Sequence, residues 1–383
     1  MDSDRARTID RVRPARRVVS RTDPSSQIFL YAWMDPLNPN AGGDVKWLKE
    51  TGKRLARDGY RVTWIASRFP GSAAEEEWEG VRILRTGSLF TVYFTHHLDR
   101  RTRRLPSHAV IVETVASIPF LTRIPEGSRA SIVVHHVVPF SQMWRKVGPL
   151  GIASWVIERF LTPGLYRDRR VLVDSRGTEV DVRKLGYRNV TRLKLGADLV
   201  DFDFSLKEKL VLAPGPVKPW KHHDQIIQAF TLMDKSWKLV IFGGFETVRL
   251  RRKLESLVDS CRLRDRVEFC GHISEEAKSD LLKRAAICVF ASEKEGWGLA
   301  AMEAQSAGCP VVAFDVPGLN ESVIHNQTGI LVPSRNTEGL GQAMAHLAFD
   351  EGLRLTLAQA AVLRAKDYDW ESCYQDFRRN ASL

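Results

Sequence analysis

Short, nearly continuous apolar segments alternate with longer amphipathic segments along almost the whole chain. Apolar runs of this kind are typical of strands that are buried on both faces, and the amphipathic stretches between them are typical of covering helices. The alternation predicts parallel sheets and an α/β fold. We predict thirteen strands, at 28–33, 61–67, 81–86, 108–114, 131–137, 170–175, 190–195, 209–215, 238–244, 266–271, 287–292, 309–314 and 329–333.

Length and composition favour two such domains. The chain has 383 residues, of which 44% are hydrophobic, and this is enough to form two cores. The charged stretch 196–209 separates the two series of strands and is the best candidate for a linker. We predict a flexible basic tail at 1–26, an N-terminal Rossmann-like domain at 27–200, a C-terminal Rossmann-like domain at 201–366 and a C-terminal helix at 367–383. Ligands of such sheets bind beyond the carboxyl ends of the strands, so the predicted site is the cleft between the domains.

The net charge of +11 restricts the classes of partner. The sequence has no zinc-finger spacing, no RNP-type aromatic motif and no helix-turn-helix signature, so nucleic acid is disfavoured. Phosphorylated small molecules and anionic membranes remain. Segment 89–104 combines aromatic residues with four arginines. It fits either peripheral contact with an anionic membrane or an ordinary surface loop and helix.

Cysteine usage and the N-terminal sequence predict a cytoplasmic protein. The five cysteines form no CxxC pair and no metal-ligand cluster, as expected of reduced thiols in the cytosol. The Arg-rich N-terminus lacks the apolar core of a secretory signal, and no apolar run reaches the roughly 18 residues of a membrane span. Membrane association is therefore a separate hypothesis, which rests on segment 89–104.

Two glutamates, Glu295 and Glu303, flank a Gly-Trp-Gly turn in the stretch EKEGWGLAAMEA (293–304). A predicted strand ends just before them, and a helix is expected to begin near Trp297. Eight helical residues span about 12 Å, whereas the carboxylate pairs of hydrolases lie about 5–9.5 Å apart. The spacing instead suits an extended ligand with hydroxyls at both ends and a phosphate at the free N–H groups of the helix start. A nucleotide sugar has this arrangement.

Two further loops follow predicted strands. Gly42 and Gly43 precede a predicted helix, where backbone N–H groups can approach a phosphate. Lys218 and Lys221 lie on either side of a Pro-Trp turn and are mobile cations that suit a diphosphate. Each feature alone also fits an ordinary surface turn.

Together these motifs resemble the retaining glycosyltransferases of the GT-B fold, and specifically the GT4 family. Residues 295–303 resemble the E-x7-E motif of that family, 267–292 its upstream helix and strand, and 307–333 its downstream G-x-P-V-V-A segment. The resemblance covers 28–375 and is more specific in 266–333 than in the N-terminal domain. It implies two tandem Rossmann-like domains that face a central cleft.

The resemblance also implies how a nucleotide-sugar donor would be bound. Glu295 would bind hydroxyls of the donor sugar, Glu303 those of the ribose, and Lys221 the diphosphate. Backbone groups of His272 and Ile273 would meet the nucleobase, and the helix-start amides would face the diphosphate and sugar. The predicted donor-binding residues are Gly42, Gly43, Lys218, Lys221, His272, Ile273, Glu295, Gly296, Trp297, Gly298, Leu299 and Glu303.

By the same resemblance, the His135-His136 pair at the end of a predicted strand matches a position near the anomeric carbon of the donor. His135 fits the register better, and we predict His135, Glu295 and Lys221 as the catalytic residues. Ser175 and the Gly196–Asp198 turn match the inter-domain pattern of the family. Trp370 matches the C-terminal helix that returns to the first domain.

One position departs from the family pattern. Where the family reads G-R-hydrophobic-x-x-x-K, this chain reads Gly215-Pro216-Val217 before Lys221, so the phosphate-binding arginine is absent. Such a charge-assisted hydrogen bond contributes a few kcal/mol. Either Lys218 substitutes for the arginine, the donor is held differently, or activity has been lost.

The sequence therefore predicts a retaining, metal-independent hexosyltransferase. It would use a nucleotide sugar as co-substrate, UDP-linked by family frequency, and no cofactor. The acceptor hydroxyl could belong to a natural product, a lipid carrier or a glycan. The alternatives are a catalytically impaired nucleotide-sugar-binding partner protein, which Pro216 suggests, and another GT-B enzyme such as a phosphorylase or an epimerase. A dehydrogenase is disfavoured because no GxGxxG follows any strand.

Overall fold

A computed structural model of the chain describes residues 27–381, apart from 116–117, 139, 141–143, 145–147 and 149. The basic tail predicted at 1–26 lies outside the described residues, as does part of a helical region expected at 141–163. The described helices and strands reproduce the predicted alternation. The boundaries of the predicted domains stay predictions.

The first sheet has eight strands in the order β3-β4-β2-β1-β5-β6-β7-β8, and only the edge strand β3 is antiparallel to its neighbour. Strand β6 ends at Val134, so His135 lies just beyond the strand rather than inside it. The strands are β1 (Gln27–Tyr31), β2 (Arg61–Ala66), β3 (Glu75–Trp78), β4 (Val81–Arg85), β5 (Val110–Thr114), β6 (Arg129–Val134), β7 (Arg170–Val173) and β8 (Asn189–Arg192).

The apolar pattern does not predict β3, because its sequence is EEEW and its three glutamates are exposed. Its pairing with β4 depends on a tight turn. Glu79 and Gly80 both have positive φ, at 48° and 75°, as two-residue hairpins require. A charged edge strand also protects the sheet from pairing with other chains.

Helices lie between the strands of this sheet in the chain and cover its faces. Helix α1 packs its apolar side, including Trp47 and Leu48, into the first-domain core. A π-helical segment, Ile157–Leu161, joins α3 to α4. The helices are α1 (Gly43–Arg57), α2 (Val92–Leu98), α3 (Leu150–Val156), α4 (Thr162–Tyr166) and α5 (Arg176–Lys184).

The second sheet has six parallel strands in the order β11-β10-β9-β12-β13-β14, which is the strand order of a Rossmann fold. The strands are β9 (Glu208–Pro214), β10 (Lys238–Phe242), β11 (Val267–Gly271), β12 (Ala285–Phe290), β13 (Val311–Asp315) and β14 (Gly329–Pro333). The helices are α6 (His223–Phe230), α7 (Val248–Ser260), α8 (Glu275–Arg284), α9 (Leu299–Ser306), α10 (Leu319–Ser322), α11 (Thr337–Phe349) and α12 (Glu351–Ala365).

A last helix, α13 (Trp370–Ala381), leaves the second domain and packs on the first. The ring of Phe377 meets that of Trp47 on α1 at 5.4 Å, and the Tyr374 hydroxyl donates to Asp58 at 2.8 Å. Within the described residues, no helix combines the length and the apolar composition that crossing a bilayer requires.

Two buried histidines link stability to pH. Burial lowers the pKa of His223, at the start of α6, to about 3, and nearby Lys221 and His222 lower it further. Burial also lowers the pKa of His96, on α2, to about 4. In the unfolded chain both rings take up a proton near pH 6.5. The unfolded state therefore binds more protons than the folded state between about pH 6.5 and pH 4, and stability falls as pH falls through this range.

We expect His223→Leu to reduce this acid sensitivity. Each such histidine contributes a slope of up to about 1.4 kcal/mol per pH unit to the free energy of unfolding. The measurement is urea denaturation at a series of pH values. The matched control is His346→Leu, at an exposed position on α11, which should leave the slope unchanged. Equal slopes for wild type and His223→Leu would contradict the assignment.

Candidate active site

Loops from the carboxyl edges of the two sheets meet between the domains. Gly296, after β12, lies against the backbone carbonyl of His135, after β6; a Cβ at position 296 would approach that oxygen to 3.2 Å. Gly43, at the start of α1, lies beside Leu299, at the start of α9, at 3.8 Å by the same measure. The first turns of α1 and α9 therefore lie close together between the domains.

Glu295 is held by groups from several loops. Its carboxylate accepts a hydrogen bond from the Ser292 hydroxyl at 2.6 Å and forms an ion pair with Lys221, from the loop after β9. Its backbone N–H donates to the carbonyl of Pro317 at 3.0 Å. Gly318 packs so closely on the Glu295 backbone that a Cβ there would lie 2.5 Å from its carbonyl oxygen. The structure thus brings together two predicted catalytic residues, Glu295 and Lys221.

The Gly-Trp-Gly turn fixes the start of α9. Gly298 has φ 95°, and a Cβ there would lie 2.5 Å from the Ser322 hydroxyl, so only glycine fits. The Trp297 ring is buried against that of Tyr368, with centroids 5.1 Å apart. Gly298 has no side chain to cap the helix, and the positive end of α9 lies near Gly43.

Glu303 joins the two domains. It lies on α9, is 7% exposed, and pairs with Lys46 of α1 and, at 3.4 Å, with Lys278 of α8. Lys46 also pairs with Asp198 at 2.7 Å. Burial opposes the charge of Lys46, but Glu303 and Asp198 outweigh it and raise its pKa. Burial likewise opposes the charge of Asp198, yet the Lys46 ammonium and the Trp370 indole N–H hold its pKa below the usual value.

His135 is oriented by a residue that the sequence did not single out. Its Nδ1 lies 3.1 Å from Oδ2 of Asp174, which follows β7, and its carbonyl accepts from the Thr178 hydroxyl at 2.9 Å. Its ring also meets the edge of Trp47, with centroids 5.9 Å apart. The carboxylate fixes the orientation of the imidazole. Asp174 lay inside the strand predicted at 170–175 and so had no signal of its own, whereas the observed strand ends at Val173.

The two residues predicted to meet the nucleobase, His272 and Ile273, lie after β11. The His272 side chain is exposed and lies directly against Gly244, where any side chain would clash with the ring. Ile273 packs on the core of the second domain. Among the hydrogen bonds and ion pairs of the described residues, none links His272 or Ile273 to Glu295 or Glu303.

The two loops predicted to contact the diphosphate carry Gly42 and Lys218. Gly42 is the N-cap of α1, and its carbonyl accepts from the Lys46 N–H at 3.1 Å. The Lys218 ammonium lies 5.3 Å from the centre of the Trp220 ring. Pro216 is exposed, and the loop around it packs tightly on Gly243, which has φ 127°.

Further contacts between the domains lie beside the site. The carboxylate of Glu321 accepts from the N–H groups of Arg176 and Gly177 at 2.6 and 2.9 Å, at the start of α5. Ser175, predicted at the domain join, is the N-cap of that helix. Lys294 pairs with Asp181 at 2.6 Å.

The Gly196–Asp198 turn and Trp370 meet as well. The indole N–H of Trp370 donates to Asp198 at 2.6 Å, and a Cβ at Gly196 would lie 2.5 Å from the indole ring. Within the described part of the chain, no three His, Cys, Asp or Glu side chains are grouped to hold a metal ion.

We expect Lys46→Met to lower the free energy of unfolding by about 1–3 kcal/mol, because it leaves the buried Glu303 carboxylate with only the longer contact to Lys278. The measurement is urea denaturation. Lys53→Met, on the same helix, removes a pair with Glu50, whose carboxylate keeps its pair with Arg54, and should change stability by about 0.5 kcal/mol or less. The double variant Lys46→Met/Glu303→Gln should recover part of the loss, and an unchanged stability of Lys46→Met would contradict this account.

The second domain matches a known family. Residues 198–364 match the profile of the family described as Glycosyl transferases group 1. A D-inositol 3-phosphate glycosyltransferase from Xylanimonas cellulosilytica is 31% identical over 163 residues, which cover 42% of this chain and 39% of that enzyme. An exopolysaccharide phosphotransferase from Streptomyces coelicolor is 36% identical over 166 residues, 41% of this chain and 17% of that protein. The chain thus spans less than half the length of these relatives.

Solved structures match nearly the whole chain. Sucrose-phosphate synthase from Thermosynechococcus elongatus superposes with a TM-score of 0.76 at 20% identity, over 92% of this chain and 98% of that one. Anabaena HepE in complex with UDP and glucose gives a TM-score of 0.70 at 16% identity, over 93% and 99%. The predicted fold class is therefore confirmed: the chain has two α/β domains in the GT-B arrangement, and its second domain matches glycosyltransferase group 1.

Proposed function

We propose that the protein is a retaining glycosyltransferase of the GT4 type, which transfers a sugar from a UDP-linked donor to an acceptor hydroxyl. The observation that carries this proposal is the pairing of Glu295 with Lys221 beside the start of α9, which lies near Gly43 of the first domain. A carboxylate, an ammonium and a helix N-terminus lie together at the carboxyl edge of a Rossmann sheet. This set suits sugar hydroxyls joined to a diphosphate.

A donor can satisfy both members of that pair. Its diphosphate would bind the Lys221 ammonium and the N–H groups of α9, while its sugar hydroxyls would donate to Glu295. Ser292 keeps the carboxylate oriented during the exchange. Each half-buried charge thus keeps a charged or hydrogen-bonding partner, so the cost of separating the pair is offset.

Transfer with retention of the anomeric configuration would then depend on the positioning of donor and acceptor and on stabilisation of the charge on the leaving diphosphate. The donor bond to phosphate would break on the face from which the acceptor hydroxyl attacks, and the leaving phosphate would take the acceptor proton. Lys221 would stabilise the negative charge that develops on the diphosphate. His135, oriented by Asp174, would lie beside the anomeric carbon and help to align the reacting groups. No metal ion or resident cofactor is needed in this scheme.

The comparisons support a nucleotide-sugar donor without identifying it. HepE, which shares the fold, is described in complex with UDP and glucose. The acceptor stays open among natural products, lipid carriers and glycans. We also propose a cytoplasmic location, and contact of segment 89–104 with an anionic membrane stays a hypothesis.

A panel of UDP-, GDP- and ADP-sugars tests the proposal. A donor that binds the folded state raises its melting temperature by mass action. A transferase should then release nucleoside diphosphate faster when an acceptor is supplied. Pro216 favours one rival, a silent nucleotide-binding partner, which would be stabilised by a donor but would release nothing. A phosphorylase or an epimerase would turn over without acceptor-dependent release of diphosphate.

Glu295→Ala should abolish transfer while leaving the fold intact. Loss of a group that positions the donor sugar should lower turnover by about a hundredfold or more. The measurement is the rate of nucleotide release, with the melting temperature as a check of folding. Glu338→Ala, in the first turn of α11 in the same domain, is the matched control. Wild-type turnover of Glu295→Ala would disprove its role.

Glu303→Gln should act mainly on donor binding. Loss of a charge-assisted bond to the ribose should raise the donor KM about tenfold, with a much smaller effect on kcat. Steady-state kinetics at saturating acceptor separate the two constants. An unchanged KM together with a large fall in kcat would contradict the assignment of Glu303 to the ribose.

A further inference from the structure

The segment 150–166 of the first domain directs apolar side chains outward. Ile152, Val156, Phe160, Leu161 and Leu165 are between 43% and 66% exposed. They recur about every four residues, so they form one stripe along α3, the π-helical segment and α4. Glu158, Thr162, Pro163 and Tyr166 of the same segment are buried. The outward side of a surface helix is ordinarily polar, and an exposed stripe of this kind marks an interaction surface.

Two neighbouring segments extend this stripe. Helix α2 exposes Phe94 and Leu98, and the loop after β5 exposes Leu121 and Ile124. The Phe120 carbonyl lies within hydrogen-bonding distance of the rings of His96 and His97 on α2, at 2.9 and 3.0 Å. The Leu121 N–H donates to the Tyr166 hydroxyl at 2.8 Å. We call the exposed apolar residues of 90–98, 121–124 and 152–165 the apolar face.

Exposed basic residues flank the segments of the apolar face in sequence. Arg100, Arg103, Arg104, Arg123 and Arg167 are exposed. Large apolar side chains fringed by arginine are complementary to one surface in particular, the interface of an anionic bilayer.

Part of the apolar face lies at the carboxyl edge of its sheet. The ring of His96, on α2, lies 5.2 Å from that of Tyr31, the last residue of β1, and the Thr122 N–H donates to Glu113, near the end of β5, at 3.1 Å. The Gly42 loop and His135 lie at the same edge. A membrane bound at this face would therefore border the part of the cleft that belongs to the first domain.

We propose that the apolar face docks on an anionic lipid bilayer and that the acceptor hydroxyl belongs to a lipid-anchored molecule presented there. The docking does not depend on enzymatic activity. The identity of the acceptor rests on the proposed function, so the two parts are tested separately.

Docking is tested by flotation with two kinds of vesicle, phosphatidylcholine alone and phosphatidylcholine with phosphatidylglycerol. The full chain should float with the anionic vesicles, and added salt should weaken binding. The double variant Phe94→Ser/Phe160→Ser removes rings that are 64% and 66% exposed, and it should weaken binding about tenfold or more. Phe349→Ser, at a ring 92% exposed in the second domain, is the matched control and should bind like wild type.

Three results would overturn the docking. The first is equal binding of wild type and the double variant. The second is equal binding to both kinds of vesicle. The third is a dimer, detected by light scattering without lipid, that the double variant abolishes, since the face would then cover a second copy of the chain.

The acceptor is tested with a lipid-anchored and a short-chain soluble form of the same hydroxyl compound. The double variant should lose turnover on the form held in vesicles and keep it on the soluble form. Equal turnover of wild type and double variant on both forms would overturn the acceptor assignment. A donor-induced rise in melting temperature does not involve the apolar face, so failure of the proposed function is detected independently.

Discussion

The half-buried side chain of Lys46 connects the three parts of the chain that define the cleft. It belongs to α1 of the first domain and contacts Asp198, in the connection between the domains, and Glu303, in the second domain. The Glu303 carboxylate could not be buried at this join without a positive partner, and the same lysine also pairs with the partly exposed Asp198. The distance between the two domains at the site is therefore fixed by a charge requirement as well as by apolar packing.

The two acids of the E-x7-E stretch, Glu295 and Glu303, pair with lysines of different domains. Glu295 pairs with Lys221 of its own domain, whereas Glu303 pairs with Lys46 of the other domain. Under the proposed function, ribose hydroxyls would bind a carboxylate that is already engaged in an inter-domain contact. Donor binding and the relative placement of the domains would then be linked thermodynamically, because both involve Glu303. No such linkage follows for Glu295, because the donor would replace its contact with Lys221, which belongs to the same domain.

Features that depend on residues close together in the sequence could be predicted from it. Buried strands of a parallel sheet need continuous apolar runs, so nearly every strand was found, while the charged edge strand β3 was not. The Gly298 turn was found because glycine at a strand-to-helix junction is a local signal. Lys46 gave no signal, since its partner Glu303 is 257 positions away in sequence. The apolar residues of 152–165 resemble core residues in the sequence, and only their exposure in the fold distinguishes them.

The buried Trp297 anchors the Gly-Trp-Gly turn outside its own domain. The residue lies between two glycines of the proposed phosphate-binding turn, yet it packs with the core of the first domain and lies against the ring of Tyr368. The Tyr368 carbonyl accepts from the Ala197 N–H in the inter-domain turn, and Trp370, two residues on, binds Asp198. The start of α9, the inter-domain connection and the returning helix α13 therefore pack as one unit. This packing holds the helix terminus in a fixed direction, as the preorganised binding of a diphosphate requires.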